Sequence, residues 1–276
     1  MTEAILQLQA AECYYSDGTY ALKNISVSFP KGKKIAVLGA NGAGKSSMFL
    51  ALNGILPIKS GKLLYEGKEV TKKDLTDLRS KVGIVFQDPD SQIISADVRQ
   101  EISFGPFNLG LEKQEVAKRV KEAMLATEIT HLAEKATHNL SYGQKKRVAI
   151  ADILAMYPEV LILDEPLAWL DPKHADDITC LLNGLAKQGK TIIVSTHDVN
   201  MAYAFAEYCI VMKDGKVIAE DTPEKVFTDK ALLKAAELEV PLVLNIFKET
   251  GLKGEKLPKT IDELISLLKG VSDGGA

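Results

Sequence analysis

A glycine-rich loop constrains the fold of this chain more than any other feature. The stretch GANGAGKSS, residues 39–47, fits the pattern GxxxxGK[ST] and directly follows the apolar run KKIAVL. Its glycines let the backbone curl so that N–H groups point inward, and the following helix presents its positive end. Lys45 then reaches the terminal phosphates, while Ser46 offers a hydroxyl to Mg²⁺. The pattern predicts nucleoside triphosphate binding by Gly39, Asn41, Gly42, Ala43, Gly44, Lys45, Ser46 and Ser47.

Two adjacent acids follow a second apolar run, in VLILDEP. A strand there carries Asp164 to the carboxyl end of a sheet, where α/β folds place their ligands and an acid can hold the metal through water. Glu165 is turned to the other side, so it can orient and deprotonate the water that attacks the γ-phosphate. The alternative is an acidic turn after a buried strand. Beside the phosphate loop the catalytic interpretation is favoured, although that loop by itself fits kinases, GTPases, motor proteins and transport ATPases equally.

The order of the patterns predicts an α/β fold. The first segment reads as short strands, the middle changes to helical spacing, and apolar strands alternate with helices after Pro158. This alternation indicates a mostly parallel sheet covered on both faces. From about residue 227, three short helical patterns form a small appended unit. With 46% hydrophobic residues, the chain can bury a sizeable core.

Charge and composition exclude some functional classes. A net charge of -3 argues against nucleic-acid binding through a strongly basic surface. The amino terminus lacks the features of a signal peptide, and no apolar run approaches the roughly 20 residues of a spanning helix. Three scattered cysteines show neither metal-ligand spacing nor the density of a disulfide framework. We therefore expect a protein of a reducing cytoplasm that does not cross a membrane by itself.

The stretch LSYGQKKR, residues 140–147, narrows the class. Ser141 and Gln144 have the spacing of a capping box, which predicts a helix start. That interpretation leaves Gly143 unexplained, because glycine weakens the first turn of a helix unless something must approach the backbone closely. An anion at the positive end of this helix would explain it.

At this point the chain resembles the ATP-binding cassette (ABC) ATPases, whose signature reads L-S-G-G-Q. The motifs occur in the family's order over about residues 4–226 and are an aromatic residue (Tyr15), the phosphate loop, a glutamine loop (Gln87), the signature, LILDEP, the pair Leu170 and Asp171, and a histidine (His197). The resemblance implies a RecA-like P-loop NTPase fold with N-terminal antiparallel strands. It also implies an inserted helical subdomain at about 90–157, within a nucleotide-binding domain of residues 1–226.

The resemblance also assigns roles to these residues. Tyr15 would stack on adenine, Gln87 would meet the metal and the attacking water, and His197 would contact the γ-phosphate. In this family two domains face head to tail, so the signature of one covers ATP held by the other. Each site would hold ATP together with Mg²⁺ at Ser46, Gln87 and Asp164. The other domain would complete this site in trans with Ser141, Tyr142, Gly143 and Gln144. The chain must therefore dimerise with itself or with a related ATPase.

The branch of the family follows from two longer stretches. VFQDPDSQIISADVRQEISFGPFNLGL and LSYGQKKRVAIA look like the ATPases of energy-coupling-factor importers, and the second is most similar to the cobalt-importing branch. Nickel or a vitamin stays open as the solute. The resemblance implies an integral membrane coupling subunit, a substrate-binding membrane subunit and a peripheral position on the cytoplasmic face of the cell membrane. It also implies that the extension at 227–276 helps to hold the dimer.

Two other classes stay open as alternatives. A soluble ABC ATPase would act as a mechanical or regulatory module without a transporter. A P-loop kinase or GTPase outside the family would have no use for Ser141 and Gly143.

Two positions depart from the family pattern. Leu167 and Trp169 lie in the loop that ends in Asp171 and crosses toward the other subunit, where the family usually has Thr or Ser and then Gly. Trp169 is the only tryptophan of the chain. We expect it either to pack across the dimer as an aromatic anchor or to hold the loop away from full closure.

Overall fold

The structure is a computed structural model that describes residues 3–251 and 257–272. Its first layer is an antiparallel sheet with the order β2-β1-β4-β5. The strands are β1 (Ala4–Tyr14), β2 (Tyr20–Pro30), β4 (Ile58–Tyr65) and β5 (Lys68–Glu69). Buried residues such as Leu6, Leu8 and Phe29 lie on one face of this sheet, which packs on the rest of the chain. The predicted N-terminal antiparallel strands are confirmed.

The second sheet carries the nucleotide-binding motifs. Its strands are β3 (Lys34–Leu38), β6 (Val82–Val85), β7 (Val160–Leu163), β8 (Thr191–Thr196), β9 (Tyr208–Lys213) and β10 (Lys216–Asp221). The order is β10-β9-β3-β8-β7-β6, and only the β9–β10 pairing is antiparallel. Every residue of β6, β7 and β8 is buried, because helices or the first sheet cover both faces. The parallel order brings the carboxyl ends of β3, β7 and β8 to one edge.

Helices cover the second sheet and form a block beside it. The helices before Pro223 are α1 (Lys45–Leu52), α2 (Leu75–Lys81), α3 (Val98–Asn108), α4 (Lys113–Ala126), α5 (Tyr142–Leu154), α6 (Pro172–Lys187) and α7 (Val199–Phe205). Helices α3, α4 and α5 pack on one another through apolar residues that include Val116, Val120 and Met124 on α4. The helical spacing expected for the middle of the chain is present, and the mixed α/β class is confirmed.

The C-terminal segment consists of four short helices. They are α8 (Pro223–Thr228), α9 (Lys230–Ala236), α10 (Leu242–Glu249) and α11 (Ile261–Ser272). The predicted boundary at residue 227 falls inside α8, and residues 252–256 and 273–276 of the predicted extension lie outside the described part of the chain. Along residues 3–251 and 257–272, no helix combines the length and the apolar character needed to cross a bilayer.

Candidate functional site

The phosphate loop connects β3 to α1 in a conformation that requires glycine. Gly39 has φ +147°, and a Cβ atom there would lie 2.3 Å from the main-chain oxygen of Met212. The buried Lys45 ammonium donates hydrogen bonds to the main-chain oxygens of Gly39 at 2.7 Å and Ala40 at 3.2 Å. Burial lowers the pKa of Lys45, an effect that the carboxylates of Glu165 and Asp164 oppose. The Lys45 ammonium is thus hydrogen-bonded to the backbone of its own loop.

Asp164 lies at the end of β7 and is held by two hydroxyl groups. Ser46 Oγ donates to Asp164 Oδ2 at 2.5 Å, and Ser195 Oγ donates to Asp164 Oδ1 at 2.5 Å. Ser195 also accepts a hydrogen bond from the main-chain N–H of Glu165 at 2.8 Å. Both acids of the pair are buried. This network joins α1, β7 and β8 at the carboxyl edge of the sheet.

Glu165 has different partners from Asp164, as the sequence predicted. Its Oε2 lies 3.1 Å from His197 Nδ1, and its Oε1 lies 4.0 Å from Lys45 Nζ. Among the described atoms, Oε1 has no hydrogen-bond partner although it is buried. The residue has φ +44°, a left-handed conformation that is unfavourable for a side chain with a Cβ. A buried carboxylate oxygen with an unused lone pair is suited to accept a proton from a bound molecule.

A cavity of about 760 Å³ joins these groups. The predicted residues that line it are Tyr15, Asn41, Gly42, Ala43, Gly44, Lys45, Ser46, Ser47, Gln87, Asp164, Glu165, Trp169 and His197. Tyr15 lies at its rim, where Tyr15 Oη and Ser47 Oγ are 2.8 Å apart. Gly39, the signature residues and Asp171 do not line the cavity.

Sequence reasoning missed several residues of the cavity wall and its support. The wall also includes Thr19, Tyr20, Ala21, Lys23, Ala168, Asp214 and Gly215. Asp214 and Gly215 form the turn between β9 and β10, and the only available signal was the turn pattern KDGK. Ser195 lies in the stretch STHD, next to the expected histidine motif, but nothing in the sequence indicated that its hydroxyl would donate a hydrogen bond to Asp164.

The signature helix contacts the glutamine loop of the same chain. Ser141 caps α5 with the predicted capping box, since Gln144 N donates to Ser141 Oγ and Ser141 N donates to Gln144 Oε1. Tyr142 Oη donates to the main-chain oxygen of Gln87 at 3.2 Å. Lys146, which is 1% exposed, donates to the same oxygen at 2.6 Å and to the main-chain oxygen of Glu165 at 3.3 Å. Burial lowers the pKa of Lys146 to about 8.

Trp169 packs against the signature helix of its own chain. Its ring meets the Tyr142 ring edge to face, with centroids 5.6 Å apart, while 69% of the residue stays exposed. It has φ +61°, so this loop contains two left-handed residues, Glu165 and Trp169.

The end of the same loop begins α6. Asp171 caps this helix by accepting a hydrogen bond from His174 N, and its other carboxylate oxygen lies 2.6 Å from His174 Nδ1. Gly143 faces the His174 ring, but an added Cβ would make only an ordinary contact at 3.4 Å. The single chain therefore does not require glycine at position 143.

The fold and the site together define a P-loop ATPase. A mostly parallel sheet carries the phosphate loop after β3, and the acid pair after β7 lies next to Lys45 and Ser46 in the same cavity. The family described as ABC transporter matches residues 22–168. The chain belongs to this family, which confirms the resemblance drawn from its signature and its ordered motifs.

Relatives resemble the chain over most of its length. The energy-coupling factor transporter ATP-binding protein EcfA of Methanocaldococcus jannaschii is 50% identical over 236 residues, which are 85% of each chain. The structure of cbiO1 from Clostridium perfringens, part of the ABC transporter complex cbiONQ, is 44% identical. It covers 91% of this chain and 100% of that chain with a TM-score of 0.75. A dimeric ATP-binding cassette with bound ADP and Pi is 30% identical and covers 79% of this chain and 98% of that one, with a TM-score of 0.71.

Proposed function

We propose that this chain is the ATP-hydrolysing subunit of an energy-coupling-factor importer that drives uptake of a transition-metal ion, with cobalt as the first candidate. The observation that carries the hydrolytic part is the buried and unpartnered Oε1 of Glu165, which faces the phosphate loop. The likeness to EcfA of M. jannaschii and to cbiO1 supports the transport part.

In this proposal Glu165 is the general base. Its Oε1 accepts a proton from the water that attacks the γ-phosphate, a role worth about 10²- to 10⁴-fold in rate for a positioned base. Lys45 Nζ lies 4.0 Å from Glu165 Oε1, so a positive charge lies beside the proposed base. His197 lies on the other carboxylate oxygen, which limits rotation of the side chain, and its exposed ring can contact the γ-phosphate. Gln87 lines the same cavity and would orient the same water.

The residues around Ser46 fit a Mg²⁺ ion. The Ser46 hydroxyl and the Asp164 carboxylate supply the oxygen ligands that Mg²⁺ prefers, and the Gln87 side chain lines the same cavity. Within residues 3–251 and 257–272, no group of three His, Cys, Asp or Glu side chains could hold a metal ion without further ligands. This composition fits an ion whose remaining ligands are phosphate oxygens and water. When bound, Mg²⁺ would neutralise the charge that develops on the phosphates.

A second subunit completes the site in this proposal. Ser141 and Gly143 lie at the positive end of α5 and do not line the cavity of their own chain, which supports the proposal that they cover a nucleotide held by another chain. The C-terminal helices leave apolar side chains exposed with the spacing of one helix face. These are Leu242, Ile246, Ile261, Ile265 and Leu268. They form the surface through which we propose that the extension at 227–276 holds the dimer.

A membrane partner would dock on the helical block. Ile94, Phe104 and Phe107 are at least half exposed, and Phe104 lines an open groove of about 440 Å³ between α2, α3 and α5. Such exposed apolar side chains favour a protein contact. Ile94 lies seven residues after Gln87, so a coupling subunit docked on this surface at the cytoplasmic face of the membrane could sense the glutamine loop. The net charge of -3 gives no support to a nucleic-acid partner.

The substitution Glu165→Gln tests the hydrolytic part. The variant should bind ATP with nearly the parental affinity, because the phosphate loop is unchanged, but its turnover should fall at least about 100-fold. It should also accumulate as a closed dimer with ATP in size-exclusion chromatography. Glu207→Gln is a matched control, since Glu207 pairs with Lys33 at the opposite edge of the sheet. Parental turnover in Glu165→Gln would remove Glu165 as the main base.

Two further experiments test the transport part. Affinity-tagged protein from native membranes should bring down an integral membrane subunit, and its absence would favour the soluble ABC ATPase. Uptake of radiolabelled Co²⁺, Ni²⁺ and vitamins, compared with and without the protein, should identify the solute. An unchanged uptake of Co²⁺ with a reduced uptake of another solute would replace cobalt as the candidate.

A further inference from the structure

Lys146 connects three parts of the site at one buried atom. Its ammonium nitrogen donates to the main-chain oxygens of Gln87, at 2.6 Å, and Glu165, at 3.3 Å. The lysine itself belongs to the second turn of α5, whose first turn carries the signature residues. Val148, Ile150 and Ile153 of the same helix are buried apolar residues. An apolar side chain would avoid the desolvation cost of an ammonium group, so the lysine at this position has a use other than packing.

The two main-chain oxygens control where two functional side chains point. Gln87 and Glu165 follow the neighbouring parallel strands β6 and β7, and both side chains line the nucleotide cavity. Holding a carbonyl oxygen restrains the peptide plane that follows the residue, and this restricts the backbone rotation that would redirect its side chain. Glu165 depends on such support, because its φ of +44° is unfavourable and persists only when the surroundings hold it. Its N–H is held by Ser195 and its carbonyl by Lys146.

The signature helix is hydrogen-bonded to both of these oxygens. Tyr142 Oη also donates to the Gln87 oxygen. This oxygen therefore accepts hydrogen bonds from two consecutive turns of α5, from Tyr142 and from Lys146. We propose that Lys146 is a positioning residue that keeps Gln87 and Glu165 of one ATP site aligned with the signature helix that serves the partner's site. The two sites of a dimer are then coupled inside each chain. This inference rests on the proposed hydrolysis at a composite site but does not require a transporter.

The test compares Lys146→Met with its conservative counterpart Lys146→Arg. Methionine fills a similar volume but donates no hydrogen bond, so kcat for ATP hydrolysis should fall about 10- to 100-fold as Gln87 and Glu165 lose alignment. The KM for ATP should change less than about threefold, because the phosphate loop and Tyr15 are untouched. Arginine retains donors that can reach both oxygens and should restore much of the lost kcat.

Lys190→Met is the matched control. Lys190 also donates to a main-chain oxygen, that of Pro158 at 2.6 Å, but at the other end of the sheet. This variant should lower the melting temperature and leave kcat near the parental value. The inference is overturned if Lys146→Met keeps kcat within about twofold, or if Lys190→Met loses kcat to the same extent. A failure of the proposed ATPase activity can be told apart from a failure of this inference, because in that case the parental protein itself would not hydrolyse ATP.

Discussion

The hydroxyl of Ser195 supports both acids of the catalytic pair, and removing it should weaken folding and catalysis together. Ser195 Oγ donates to Asp164 Oδ1 at 2.5 Å and accepts from Glu165 N at 2.8 Å. The residue is fully buried in β8, so water cannot replace the hydroxyl when Ser195→Ala removes it. One carboxylate oxygen and one N–H group are then left without this partner.

The magnitude follows from these two bonds. A hydrogen bond to a charged group contributes about 1.5–3 kcal/mol to stability, and a neutral one about 0.5–1.5 kcal/mol. Asp164 keeps its bond to Ser46, so the loss is not that of a bare buried charge. We therefore expect Ser195→Ala to lower the free energy of unfolding by about 2–4 kcal/mol. We also expect kcat to fall, because Asp164 and the Glu165 turn both gain freedom.

Urea unfolding and steady-state ATP hydrolysis measure the two effects on the same preparation. Thr191→Val is the matched control in the same strand, since the buried Thr191 hydroxyl accepts a hydrogen bond from Gly32 N, at 2.9 Å, at the opposite end of β8 from the acid pair. It should cost about 0.5–1.5 kcal/mol and leave kcat unchanged. A loss below about 1 kcal/mol in Ser195→Ala, or no greater loss than in Thr191→Val, would refute this account of the acid pair.

Three other substitutions address the remaining parts of the site. Lys45→Ala should weaken ATP binding at least about 10-fold in equilibrium titration, and unchanged affinity would remove Lys45 from the phosphate site. Trp169→Gly removes the cost of a left-handed conformation at a residue with a Cβ, about 1–2 kcal/mol, and also loses the ring contact with Tyr142, about 0.5–1.5 kcal/mol. These effects oppose each other, so the free energy of unfolding should change by less than about 1.5 kcal/mol. Faster hydrolysis in this variant would then identify the tryptophan as an obstruction, and a weaker dimer would identify it as an anchor. Burial, with a smaller contribution from Glu101, raises the pKa of Asp152 from 3.8 to about 7. The folded state therefore holds this proton more tightly than the unfolded state, and stability is lost as the pH rises from about 4 to 7. Asp152→Asn should remove that loss, so its advantage in urea unfolding should grow over this window, whereas a pH-independent difference would contradict the shift.

The sequence predicted the parts of the fold that depend on local pattern. The phosphate loop predicted a strand, a turn and a helix, and β3, the loop and α1 follow in that order. Ser141 and Gln144 predicted a capping box, and both of its hydrogen bonds are present. Asp164 and Glu165 were expected to have separate roles, and in the structure their side chains have different partners, Ser46 for Asp164 and His197 for Glu165.

Contacts between distant segments were beyond the sequence pattern. The spatial order of the strands places β8 between β3 and β7, and this order alone brings Ser195 to Asp164. Lys146 reads as an exposed residue in a basic run, since nothing local reveals that two main-chain oxygens lie over it. For Trp169 the sequence indicated an unusual residue, but both interpretations looked to a second subunit. Its nearest aromatic partner, Tyr142, belongs to the same chain.

The position of β6 at the edge of its sheet gives the site an uneven stiffness. The strand β3, which leads into the phosphate loop, is hydrogen-bonded on both sides, to β8 and β9. The strand β6, which leads to Gln87, is bonded to β7 alone among the strands of residues 3–251 and 257–272. A strand with one ladder can tilt at a lower cost than a strand with two. The phosphate loop therefore extends from a stiffer support than the glutamine loop. In the proposed function, this difference would let the glutamine loop transmit a small displacement to a docked membrane subunit.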